Sequence, residues 1–130
     1  MSDPFEATIA LWPQDARHTF GTIRSLILNA AAQAEAGPLT ESLKWGQPAW
    51  RPTRRNQGST LRLMWQPNPA GPLVMYVDCK TTLSRTMQEI YPSEFMYESN
   101  RGLRILLDRP LPEHAIDHLA RLTFTYHGKR

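Results

Sequence analysis

The stretch Glu41-Ser42-Leu43-Lys44-Trp45-Gly46-Gln47-Pro48-Ala49-Trp50 holds two of the chain's four tryptophans. Its reading decides how the sheet is built. Gly46 frees the backbone and Pro48 removes an N–H donor, so no long regular element runs through it. The pattern predicts one kinked strand carrying large aromatics at a bend. Gly46 is expected at that bend and the Trp45 ring inside the core, because large aromatics bury about 150–250 Å² when interior.

Upstream, Asp3-Pro4 reads as a helix start, with Asp as cap and Pro in the first turn. It opens a short helix to about Leu11. Pro13 starts a longer one with apolar positions Ala16, Phe20, Ile23, Ile27, Ala30 and Ala34. Those steps of three and four make one core-facing stripe. Gly37-Pro38 is the expected stop.

Downstream, Leu61, Leu63 and Trp65 alternate with Arg62, Met64 and Gln66, and Leu73, Met75 and Val77 alternate with Val74, Tyr76 and Asp78. The loop Pro67-Asn68-Pro69-Ala70-Gly71-Pro72 separates them, which predicts a wide hairpin. Thr82–Ile90 is helical in pattern, with Leu83, Met87 and Ile90 on one side. A second hairpin joins Phe95–Tyr97 to Leu103–Leu107 through a turn at Glu98–Gly102. The last helix starts at Pro110–Pro112, with stripe residues Ala115, Leu119, Leu122 and Tyr126. Short connections favour an antiparallel sheet. The predicted fold is α+β: a two-layer sandwich, an antiparallel sheet of about five strands covered by the N- and C-terminal helices. The opposite sheet face is then open, free for a ligand or for a second copy of the chain as a homodimer.

The 130 residues make one domain, 1–130, on length. The formal net charge of +3 permits an anionic partner and falls short of a basic-face nucleic-acid binder. Cys79 is the sole cysteine, so no internal disulfide forms and a reducing compartment fits. The N-terminal residues lack a signal-peptide pattern, and no apolar run approaches the roughly 20 residues of a membrane span. These features predict a cytoplasmic protein.

Three motifs carry a family resemblance. Pro13, Arg17, Phe20, Ile23-Arg24 and Leu26-Ile27 form the first. Glu41 through Trp50, with Lys44-Trp45-Gly46-x-Pro48, form the second. Gly102 through Pro112, with Asp108-x-Pro110-Leu111-Pro112, form the third. The chain resembles the YdhG-like domain-of-unknown-function family, from which it departs by the turn Ser99-Asn100-Arg101-Gly102 and by the basic insert Arg51–Gly58. The resemblance implies a frataxin-type α-β sandwich and, for one group of members, an iron-chaperone role.

Several side chains could carry chemistry. His114 and His118 stand four apart on the last helix, a spacing that can start a metal site but needs further ligands. Iron on carboxylates needs clustered oxygens. The long helix offers only Asp15 and Glu35 beside Arg17, His18 and Arg24. Cys79 has no partner signature for nucleophilic catalysis. No catalytic residue, metal site or cofactor is therefore assigned. The candidate ligand-binding residues are Trp45, Trp50, Arg51, Arg54, Arg55 and Trp65: arginines of a surface loop beside tryptophans that can stack on an anionic or aromatic small molecule. The expected function is a non-catalytic binding domain. The iron-handling reading and a weak nucleic-acid binder are the alternatives.

Overall fold

The structure is a computed structural model that describes residues 3–127. Helices α1 (Glu6–Ile9) and α2 (Gln14–Gln33) lead into strands β1 (Leu39–Lys44), β2 (Gln47–Pro52), β3 (Leu61–Trp65) and β4 (Leu73–Tyr76). Helix α3 (Leu83–Ile90), strands β5 (Phe95–Glu98) and β6 (Gly102–Ile105), and helix α4 (Glu113–Phe124) complete the chain. The sheet is open, antiparallel and six-stranded, in the order β1-β2-β3-β4-β6-β5. The α+β architecture with terminal helices is as expected; the strand count is not.

The extra strand comes from the opening motif. Residues 41–50 are two strands, not one kinked strand. Lys44 pairs with Gln47 and the chain reverses at Trp45-Gly46, whose φ values are +57° and +74°. A two-residue hairpin with both central residues at positive φ matches the right-handed twist of its strands. Gly46 takes that conformation freely. Trp45 does not, and with tryptophan in the place of Asn or Asp the turn lacks its usual sequence signature.

Helix α2 buries Ala16, Phe20, Ile23, Ile27 and Ala30, with Ala31 in place of Ala34. Its stop also differs from expectation. Ala36 N–H donates to the Ala31 carbonyl at 3.0 Å and Glu35 N–H to that of Ala32 at 3.2 Å. With Glu35 at φ +56°, this is the double-bonded C-cap usually built on glycine. The helix therefore ends before Gly37.

One cluster of buried side chains runs from Phe5 to Phe124. Alternation along the strands sends Trp50, Leu61, Leu63, Leu73, Met75, Leu103 and Ile105 toward the helices. Phe5, Trp12, Phe20 and Trp50 interlock, with neighbouring ring centroids 5.2–6.0 Å apart. At the edge of this cluster the Trp50 indole N–H donates to Glu41 at 2.9 Å. Arg24 grips both oxygens of the same carboxylate, at 2.9 and 2.7 Å, and reaches Asp3 at 2.7 Å. Its guanidinium also lies 5.0 Å from the Phe5 ring centroid. One arginine thus ties the N-terminal segment, α2 and the β1–β2 hairpin together.

Hydrogen bonds from Arg24 hold the Glu41 and Asp3 carboxyls below the usual carboxylate range. Depressed folded pKa values stabilise the fold above the unfolded values and cease to as pH falls through the folded ones. Arg24→Gln should cost about 1.5–3 kcal/mol near neutrality, the worth of a charge-assisted pair of hydrogen bonds. The gap in Tm between wild type and variant should narrow as pH drops below about 4, where the unfolded carboxylates begin to protonate. Thermal melts from neutrality to strongly acidic pH check this; a gap independent of pH contradicts it.

Candidate functional site

The six candidate side chains do not converge. Trp45 is 81% exposed at the tip of the β1–β2 hairpin, which corrects its expected place in the core. The turn conformation explains it: a residue at the tip of a two-residue hairpin projects beyond the sheet. Trp50, by contrast, is fully buried and offers no wall to a ligand. Trp65 is half-buried and shares its sheet face with Leu61 and Leu63, so it also points toward the helices. Its indole N–H is the one fully enclosed side-chain polar atom without a partner among the described residues.

Arg51, Arg54 and Arg55 are exposed, at the end of β2 away from Trp45. Their loop has a structural job. Ser59 N–H donates to the Thr123 carbonyl at 2.8 Å and the Gln57 amide to that of Phe124 at 3.2 Å. These bonds add to the capping of the last carbonyls of α4, of which that of Thr123 also accepts from the Tyr126 N–H at 3.3 Å. Gly58 is required at that contact, since a Cβ there would stand 2.3 Å from the Phe124 carbonyl oxygen. The Arg54 guanidinium lies against the Gly37 backbone. The loop thus packs on the end of α4 while its three arginines stay exposed.

What the structure does bring together lies on the sheet face away from the helices. Trp45, Gln47, Arg62, Met64, Tyr76 and Arg101 line a cavity of about 330 Å³. Register places them there: Arg62 faces Tyr76 across β3–β4, and Tyr76 faces Gly102, next to Arg101, across β4–β6. The Arg62 guanidinium lies 5.3 Å and that of Arg101 6.0 Å from the Tyr76 ring centroid. Arg62 donates to the Gln47 side-chain oxygen at 3.0 Å. Burial, and then the charge of Arg101, lower the pKa of Arg62, although it remains a cation. Among the described residues neither Arg62 nor Arg101 is in a salt bridge.

Arg104 shows what a compensated arginine looks like on this face. It is nearly fully buried, paired with Glu98, and bonded to the Gly71 carbonyl at 2.7 Å and to Gln66 at 3.2 Å. Its donors are consumed by structure, and those of its two neighbours are largely free.

Of the residues that line this cavity, Trp45 alone is among the six candidates. Alternation already put Arg62 and Met64 opposite the core positions of their strand, and Tyr76 opposite those of its own. Only the pairing register shows that Arg62 and Tyr76 are neighbours.

The other candidate groups are occupied differently. Tyr91 and His118 share a hydrogen bond, Oη to Nδ1 at 2.8 Å, and the edge of Tyr91 meets His114. Asp117 is held by Arg121 at 2.8 Å. Asp3, Glu41, Glu98 and Asp108 are likewise paired to arginines. Among the described residues no three His, Cys, Asp or Glu side chains gather as a metal site. Cys79 is exposed.

Comparison with known protein families, with curated proteins and with solved structures finds no match to this chain.

The two motif tryptophans should therefore separate in a stability experiment. Trp50→Ala should cost about 3–5 kcal/mol, as for a large aromatic removed from a packed core. Trp45→Ala should change stability by no more than about 0.5 kcal/mol, as at an exposed position. Urea melts read both; comparable losses would return Trp45 to the core.

Proposed function

We propose that this chain is a small, non-catalytic binding domain whose uncovered sheet face holds an anionic, aromatic small molecule. The observation that carries this reading is a pair of arginines without carboxylate partners among the described residues, meeting at Tyr76 beside an exposed indole. Two like charges on a partly buried face repel each other and cost desolvation, and a bound anion relieves both. Trp45 and Tyr76 supply flat surfaces for a ring. The cavity is within the range of small-ligand sites, about 300–1,000 Å³.

The same charges oppose a homodimer through this face. Lys44, Arg51 and Arg62 alternate onto it and Arg101 reaches it from the β5–β6 turn, so a two-fold interface would bring two copies of this cationic patch together. A cytoplasmic setting belongs to the same reading, supported by a lone exposed thiol. Among the described residues no helix is long and apolar enough to cross a membrane.

A thermal-shift panel of aromatic carboxylates, sulfonates and phosphates tests the site. A ligand at a hundred times its Kd stabilises by about 2.7 kcal/mol, a shift of several degrees for a domain of this size. The shift should vanish in Arg62→Gln/Arg101→Gln and persist in Arg51→Gln/Arg54→Gln/Arg55→Gln. A shift lost in the second variant and kept in the first would move the site to the α4-capping loop.

A further inference from the structure

Resting on that reading, we infer that the ligand is an aromatic phosphomonoester, a flat ring system carrying a dianionic phosphate. The charge count leads there. A carboxylate or sulfonate brings one negative charge, which a single guanidinium fork answers. Here two guanidiniums stand within 6.0 Å of one ring centroid, with no carboxylate paired to either among the described residues. A phosphomonoester carries about −1.5 to −2 near neutrality and offers three acceptor oxygens. It neutralises both arginines, and its oxygens are enough to receive donors from each.

Their mobility is complementary. Arg62 is half-buried on β3 and steadied by Gln47, so it is a fixed anchor. Arg101 is exposed in the β5–β6 turn and can swing on its flexible stem to complete the grip. The ring's place is set by Trp45, whose indole lines the same cavity while held by a two-residue turn. An exposed indole offers a flat face on which such a ring stacks. Neither inorganic phosphate nor an uncharged ring satisfies both halves of the cavity.

Phenyl phosphate and benzenesulfonate share a ring and a tetrahedral head and differ in charge, so they isolate the inference. Binding is read as quenching of tryptophan fluorescence, with Trp45→Phe as the control that assigns the signal. Phenyl phosphate should bind at least about tenfold more tightly than benzenesulfonate or inorganic phosphate, a difference of about 1.4 kcal/mol. Its advantage over benzenesulfonate should fade as pH falls below about 6, where the phosphate loses its second charge while the arginines keep theirs. Arg62→Gln/Arg101→Gln should erase that advantage. AMP and free phosphotyrosine, run in parallel, distinguish a nucleotide from a modified tyrosine as the natural source of this chemistry. Equal affinity for the phosphate and the sulfonate would overturn the dianion inference and leave the site standing. Quenching by none of these anions would overturn the site itself.

Discussion

The hydrogen bond from the Trp50 indole to Glu41 is the constraint on which the rest of this fold depends. It places a large aromatic fully inside the core while giving its one polar atom an ionised acceptor at the core's edge. A buried indole without a partner is costly, and so is a half-buried carboxylate without a cation. Arg24 answers the second need from α2 and reaches Asp3 as well, so the N-terminal segment, the long helix and the first hairpin lock at one point.

Locking Trp50 inward has a consequence for the whole sheet. Side chains alternate with period two, so a one-residue slip would exchange the two faces of β2. With Trp50 inside, Gln47, Ala49 and Arg51 face outward, and the register of β2 with β3 carries Arg62 and Met64 to the same side. The register of β3 with β4 then brings Tyr76, that of β4 with β6 sets Arg104 opposite Val74, and that of β5 with β6 puts Glu98 beside Arg104. The uncovered face is therefore specified by the packing of the covered one. That face's two arginines outside any salt bridge among the described residues are a property of the core's geometry as much as of local sequence.

Helix positions were legible because periodicity reports them directly. Proline just before α2 and α4, the stripe from Ala16 to Ala30 and the alternation of β3 and β4 carried over into the structure, whereas α1 begins after Phe5 and not at Asp3-Pro4. The β1–β2 hairpin was not legible, because its turn places a tryptophan at positive φ where asparagine or aspartate is the usual signal. The same misreading sent Trp45 into the core and left the sheet one strand short. The arginine loop was legible only in part: its charges were visible in sequence, whereas its bonds to the end of α4 span more than sixty positions. The site itself joins four separate segments, and only strand register relates them.

The central claim is that ligand binding belongs to the sheet face away from the helices. Amide and indole NMR shifts, followed during titration with phenyl phosphate, test it most directly. The account predicts movement of the Trp45 indole N–H and of the amides of Gln47, Arg62, Met64, Tyr76 and Arg101, with the Trp50 indole and the amides of Arg54 and Arg55 unmoved. Shifts centred on the Arg51–Arg55 loop, or on His114 and His118, would contradict it.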